Sequence, residues 1–225
     1  MTPLPVNALF HGMQPHGAFA GTPSLIIRLM EHPDSTTVID GEPVDSCYPL
    51  PEWEYDEANE VSLTVMLDRR TSGPQFASVA PHRLSVLADG YRERHILILG
   101  REPGRHDICP LVEAFLARGR TVQIETTGGF KVEAPGAWVS LRALPTRRTD
   151  GIIPDAVARA NEVLATIRWK TDLDRIELLF SARGTPVWLK PSAFAESWVY
   201  RQCVAVATRH TGWRVTRTAR QPMDA

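Results

Sequence analysis

Side chains with the means to do chemistry are scattered along this 225-residue chain rather than clustered. Cys47, Cys109 and Cys203 lie far apart and form no C-x-x-C pair, so the spacing supports neither a cysteine-based zinc site nor a disulfide framework. His11, His16 and His32, with Asp34 or Asp40, offer nitrogen and oxygen donors that could meet near one strand end. No H-x3-H spacing sets two of them on one helix face, so no metal site is expected. Cys109 stands before a proline at a helix start, where a thiol can become more acidic; the plainer reading is a small buried residue. There is no G-x-S-x-G, and Gly100-Arg-Glu-Pro-Gly104 lacks the Lys-Ser/Thr ending of a phosphate loop. Spacing alone therefore names no catalytic residue.

The charge is more telling. Residues 1–68 hold eleven acidic side chains against one basic, Arg28, whereas residues 69–225 hold 24 basic against 15 acidic. Nearly all the basic side chains are arginine, whose fork suits carboxylates and phosphates. The stretch Arg201 to Arg220 has five arginines and no acid, and is the best basic patch. It lacks the aromatic interleaving of a single-strand binder, so nucleic acid is not the expected partner. Hydrophobic residues make up 43% and charged residues 23%, an ordinary globular composition. No apolar run approaches the ~20 residues that span a bilayer. The start of the chain has no basic, apolar leader pattern, and a reducing cytoplasm is the expected compartment.

The elements that must position these residues follow from periodicity. Ser24–Leu29, His95–Leu99, Thr121–Glu125, Ala137–Leu141, Thr185–Leu189 and Trp213–Thr216 read as strands. Asn59–Asp68, Ala80–Gly90, a helix capped by Asp107 and ended by Gly119, Pro154–Ala165 and Ala193–His210 read as helices. The acidic segment from about 31 to 60 holds Pro33, Pro43, Pro49 and Pro51 and reads as a loop within a single domain spanning 1–225. Strands alternating with helices imply an α/β fold with a parallel sheet. The chain is shorter than the ~250 residues of a full eight-stranded barrel. An incomplete barrel or an open sheet is expected, with ligands at the carboxyl ends of the strands. That rule points to Arg28, Gly100–Pro103, Glu125–Gly129 and Ser140.

The run Leu9–Leu29 (LFHGMQPHGAFAGTPSLIIRL) resembles the start of the 7-carboxy-7-deazaguanine synthases, small radical S-adenosylmethionine enzymes of queuosine and 7-deazaguanine biosynthesis. The resemblance continues in order through Arg94–Pro103 (the family's strand and G-G-E-P), Gln123–Gly128 (I-E-T-N/S-G), Trp138-Val-Ser140, and Trp213–Thr216. It implies a partial βα barrel of the radical S-adenosylmethionine type and, by family precedent, a homodimer. It also implies that Gln14, His16 and Arg28 face the pterin-like substrate. Gly100, Arg101, Glu102, Glu125 and Ser140 fall where the family holds S-adenosylmethionine.

The departures from that pattern shape the expectation. Where the family has C-x3-C-x2-C for a four-iron–four-sulfur cluster, this chain has His32, Thr36 and Ile39, and soft thiolates are what such a cluster needs. The glutamate of Q-G-E-G is His16. Asp40 is kept, but the following threonine is Gly41. The second glycine of G-G-E-P is Arg101, a side chain that should obstruct S-adenosylmethionine. The family's V-S-P-K lysine corresponds to Arg142, and Q-T-H-K to Arg217–Arg220. A cluster-free relative without radical catalysis is expected, with no metal and no cofactor, binding a deazapurine or pterin-like molecule or a protein partner. Two further readings stand beside it. One is an active synthase-type carbon–nitrogen lyase, or another reaction in the altered cleft; the other is nucleic-acid binding through the arginine-rich end. Gln14, Arg28, Gly100, Glu102, Glu125 and Ser140 themselves read either as a retained pocket or as requirements of the fold.

Overall fold

The computed structural model describes residues 2–30, 56–68, 73–100, 102–143, 151–192 and 195–216. His32, Asp34, Thr36, Ile39, Asp40, Gly41, Cys47, Arg101 and Arg217–Arg220 lie outside them, as does most of the acidic loop.

One nine-stranded sheet carries the fold, in the order β3-β1-β2-β4-β5-β6-β7-β8-β9. Its strands are β1 (Leu4–Met13), β2 (Pro23–Leu29), β3 (Ala77–Val79), β4 (His95–Gly100), β5 (Thr121–Thr126), β6 (Trp138–Ala143), β7 (Glu162–Ile167), β8 (Val187–Pro191) and β9 (Trp213–Val215). From β2 to β9 each neighbouring pair is parallel, while β1 runs antiparallel to both β2 and β3. The helices are α1 (Leu63–Asp68), α2 (Pro81–Leu87), α3 (Cys109–Leu116), α4 (Pro154–Arg159), α5 (Lys170–Phe180) and α6 (Ser197–Ala207). None of them is long and apolar enough to cross a membrane. The sheet is open, with β3 and β9 at its edges.

Alternate residues of a strand share a face, and here the two faces differ in kind. Leu25, Ile27, Ile96, Ile98, Val122 and Ile124 pack with Leu111, Val112 and Phe115 of α3. Further along, Val163, Ala165, Val187 and Leu189 pack with Leu173 and Ile176 of α5 and with Val199 and Cys203 of α6. On the opposite, inner face Ile26, Leu97 and Leu99 form an apolar patch with Phe10. From β5 onward it carries Gln123, Glu125, Ser140 and Glu162, all buried. A buried polar row on a sheet this apolar is where function is to be sought.

Several expected elements are corrected. The helix expected over Pro154–Ala165 stops at Arg159, and Glu162–Ile167 is β7. Ala160 turns extended (ψ 126°), and the Asn161 carboxamide oxygen accepts the Val139 N–H, which brings the next residues into the sheet beside β6. Asp107 does not cap α3; the residue before the helix is Ile108, which makes no side-chain cap, and Pro110 opens the first turn. Of Asn59–Asp68 only Leu63–Asp68 is α-helical (α1), and Asn59 ends a 3-10 turn that begins at Glu57. The strands β1 and β3 and helix α5 were not anticipated.

At the start of β4, His95 is buried, with its ring 4.5 Å from that of Phe19. Ser24 Oγ donates to the Thr22 carbonyl at 2.9 Å, so it is free to accept from His95 Nδ1 at 2.8 Å. That fixes the neutral tautomer with its proton on Nδ1. Burial lowers the imidazole pKa from 6.5 to about 4. Between those values the unfolded chain binds a proton that the folded protein excludes. The stabilising contribution is therefore full above pH 6.5 and is lost as pH falls towards 4. Its size is on the order of 3 kcal/mol. His95→Asn keeps a donor for Ser24 and removes the titration. Denaturant unfolding across this range should show a smaller loss of stability with acidification in His95→Asn than in the natural protein.

Candidate functional site

The connection from β1 to β2 folds over the inner face. Its turn closes through Gln14 N–H to Thr22 O (3.0 Å) and Gly21 N–H to Gln14 O (2.8 Å). The Ala18 N–H then donates 2.7 Å to Glu162 Oε2 on β7. In sheet order β7 lies five strands from β1, so the turn reaches far over the sheet. Gly17 makes this approach feasible. Its φ is +80°, and a Cβ there would lie 2.7 Å from Glu162 Oε1.

Beneath the turn a continuous hydrogen-bonded network crosses β5, β6 and β7. Gln14 Nε2 donates to Gln123 Oε1 (2.8 Å) and to Glu125 Oε1 (3.2 Å). Gln123 Nε2 donates to Ser140 Oγ (2.8 Å), and Ser140 Oγ donates to Glu162 Oε1 (2.6 Å). Strand register sets this up, since Glu125 pairs with Ser140 and Ser140 with Glu162. Burial raises the Glu125 carboxyl above its ordinary range, opposed by Arg142 and by the Gln14 hydrogen bond. Arg142 Nε stands 3.8 Å from Glu125 Oε2.

Of the residues expected at a site, Gln14 and Glu125 thus meet directly, and Ser140 joins them through Gln123. His16 rides on the same turn and faces a cleft that Arg142 also lines. Arg28 is buried on β2, paired in register with Leu99. Glu102 belongs to a different cluster. It accepts the Thr126 hydroxyl, the Thr127 hydroxyl (2.5 Å) and the Gly129 N–H (3.2 Å), tying the end of β4 to the end of β5. Gly100 ends β4 against β2, where a Cβ would sit 2.6 Å from the Leu29 carbonyl oxygen. His11 does not join His16; its Nδ1 lies 2.5 Å from Glu93 Oε1, and its ring tilts against Tyr91.

Sequence reasoning missed Gln123 and Glu162. Gln123 could have been found as a polar residue in an otherwise apolar strand. Glu162 was hidden by the helical reading of its segment. The helical reading also hid Thr166 on β7, whereas β8 was expected as a strand and Trp188 and Lys190 were simply not singled out.

Cys109 opens α3, and its thiol donates 3.6 Å to Glu113 Oε1; burial and the nearby acid raise its pKa. A raised pKa argues against an activated nucleophile at Cys109, and the thiol is half-buried rather than the buried small residue expected. Cys203 is buried on α6 with its pKa pushed up to about 12. These two thiols belong to separate helices.

Gly17→Ala tests the contact that seats the turn. A left-handed alanine costs about 1–2 kcal/mol before any clash, and the clash with Glu162 adds to it. The variant should unfold at lower denaturant than Gly21→Ala, whose Cβ would meet nothing within 4 Å although its φ is also positive (+82°). Equal losses would mean that strain alone, and not the Glu162 contact, limits position 17.

No protein-family model matches the chain. Curated relatives do. The 7-carboxy-7-deazaguanine synthase of Escherichia coli strain K12 is 31% identical over 183 residues, covering 79% of this chain and 78% of that protein. The protein of the same name from Synechocystis sp. is 24% identical over 219 residues, covering 94% and 88%. The crystal structure of QueE from Escherichia coli superposes with a TM-score of 0.79 at 26% identity, covering 96% of this chain and 93% of that one. With identity and coverage at that level, the chain belongs to the 7-carboxy-7-deazaguanine synthase family.

Proposed function

We propose that this protein is a family member that does no radical chemistry and acts by binding a deazapurine or pterin-like molecule on the inner face of its sheet. The observation that carries the first half is the placement of its thiols. A four-iron–four-sulfur cluster of this family takes three cysteines from one loop, and it accepts little else. Cys109 and Cys203 are committed to α3 and α6, which leaves Cys47 as the single thiol for the loop. In register with the family motif stand His32, Thr36 and Ile39, of which only histidine can take the place of a cluster thiolate. The donor set does not fit the cluster. Arg101, in place of a glycine, would also reduce binding of S-adenosylmethionine.

The second half rests on the buried polar row. Gln14 is fixed by two hydrogen bonds and lies at one end of the row, as the ligand-reading glutamine of the family would. We take the open sheet to be the incomplete barrel of that family, since its β1–β2 connection reaches β5 and β7 over one face. A homodimer follows from family precedent. A protein partner is the alternative occupant of the inner face. Retention of Gln14, Arg28 and Glu125 is also what an active lyase would require, so the cluster decides between the two readings.

Anaerobic reconstitution with iron and sulfide should leave the protein colourless and without stoichiometric iron. A stable brown protein absorbing at ~400 nm, as thiolate clusters do, would restore the enzyme reading.

Ligand binding is tested by melting temperature. 6-Carboxy-tetrahydropterin or 7-carboxy-7-deazaguanine should raise it, by about 2.7 kcal/mol of stabilisation at a hundred times the dissociation constant. Arg28→Ala should abolish the shift relative to its own ligand-free baseline, because the anion-binding fork is gone. Arg28→Lys should retain part of it. No shift with either ligand at millimolar concentration would leave the protein-partner reading in its place.

A further inference from the structure

Every residue of the polar row is buried: Gln14, Gln123, Glu125, Ser140 and Glu162. A small molecule read by Gln14 must therefore touch atoms that solvent does not reach in this arrangement. Some part of the cover has to move, and its parts differ in how firmly they are held. Gln123, Glu125, Ser140 and Glu162 stand on β5, β6 and β7, in the interior of the sheet. The β1–β2 turn lies on top. Its Gly17 is buried against Glu162, while Pro15, Ala18, Ala20 and Gly21 are exposed.

The turn is built to move as one piece. Its backbone bonds close on themselves, with Gln14 N–H to Thr22 O, Ala20 N–H to Gly17 O (3.2 Å), Gly21 N–H to Gln14 O and Thr22 N–H to Phe19 O (2.9 Å). Rotation about its junctions with β1 and β2 keeps all four. Its contacts with the sheet at the tip include the Ala18 N–H on Glu162 Oε2 (2.7 Å) and the partly exposed Phe19 ring, 4.5 Å from that of His95 and 5.5 Å from that of Trp138.

Glu162 can release this tip without being stranded. Its two oxygens divide the work. Oε2 accepts the Ala18 N–H, whereas Oε1 accepts Ser140 Oγ (2.6 Å) and Gln123 Nε2 (3.4 Å). When the tip lifts, Oε1 keeps both donors, so the buried carboxylate stays paired. Opening costs one hydrogen bond to a charged group and the packing of a half-buried ring, and the sheet beneath is left intact.

We infer that the β1–β2 turn is a gate over the inner face and that Glu162 is the positioning residue that holds it shut. A ligand enters beneath the lifted tip, and the bond from Ala18 to Glu162 forms again over it. The identity of that ligand rests on the function proposed above; the gate is a property of the chain and is tested first without it.

Hydrogen exchange resolved by residue is the test. The Ala18, Ala20 and Gly21 amides are all hydrogen-bonded in the seated turn. They should exchange through a local opening, at least about tenfold faster than the amides of β5 and β6, which open with the sheet. Glu162→Gln should widen that difference by about tenfold or more. Its one carbonyl oxygen is claimed by two donors, Ser140 and Gln123, which turns its NH2 group against the Ala18 N–H, donor to donor. If Glu162→Gln does not fold by circular dichroism, Phe19→Ala, which truncates a half-buried ring, should show the same selective effect. The gate is overturned if the turn amides exchange no faster than those of β5 and β6. It is equally overturned if the folded variant speeds both regions alike, or neither. 7-Carboxy-7-deazaguanine then tests the coupling. Once bound, it should slow exchange in the turn, and Glu162→Gln should associate with it faster than the natural protein does. Binding that leaves exchange in the turn unchanged overturns the gate. Absence of binding to either protein, with the selective exchange intact, removes the proposed function and keeps the gate.

Discussion

Glu162 is fully buried, and a buried carboxylate must find donors or lose its charge. It finds them on three separate parts of the chain. The Ala18 N–H comes from the β1–β2 turn, the Ser140 hydroxyl from β6, and the Gln123 amide from β5. The arrangement of the inner face follows from that demand. The turn must lie flat enough for its backbone to reach β7, which requires glycine at Gly17. Once the turn is seated, Gln14 is delivered onto Gln123 and Glu125, and His16 is delivered to the cleft. Breaking the Glu162 contacts would free the turn and uncover the polar row beneath it.

The two faces of the sheet divide the work between stability and chemistry. Outer positions such as Ile27, Ile98, Ile124 and Leu189 are aliphatic and meet helices, so they hold the fold together without specifying any ligand. Inner positions change character from one side to the other. Under β2 and β4 Ile26, Leu97 and Leu99 form an apolar patch flanked by His95 and Arg28; from β5 the buried amide, acids and hydroxyl of Gln123, Glu125, Glu162 and Ser140 enter. A one-residue slip of β5 would bring Ile124 to the inner face and bury Gln123 and Glu125 among the helices. Register on this side of the sheet is therefore fixed by polarity as well as by packing.

Much of this was legible in the sequence, and the failures have physical causes. Strands such as His95–Gly100 announce themselves because both faces are buried and the run is aliphatic throughout. β7 does not. Its segment, Glu162-Val-Leu-Ala-Thr-Ile167, follows a proline-initiated helix with only Ala160 and Asn161 between, and alanine and leucine suit either state. The extended Ala160 and the Asn161 side chain decide the matter through contacts with β6 that no local pattern displays. β1 was missed because its polar Asn7, His11 and Gly12 interrupt any alternation, although β2 supplies a full antiparallel partner. At the site, Gln14, Glu125 and Ser140 were found through family resemblance. Their mutual contacts, more than a hundred residues apart in sequence for Gln14 and Glu125, could be seen only in the fold.

That distinction bears on how the family motifs are to be read. Gly100 answers to the Leu29 carbonyl, which leaves no room for a Cβ, and Glu102 answers to two hydroxyls and a backbone amide at the end of β5. Both belong to G-x-E-P, and both are explained by joining one strand end to the next. A chain can therefore keep them whether or not a cofactor ever sits there. Thiolates of a cluster loop have a single duty, which is the metal. His32, Thr36 and Ile39 in those positions weigh more in the functional reading than the survival of Gly100 or Glu102, because a residue with one duty is free to change once that duty ends, while a residue with two is not.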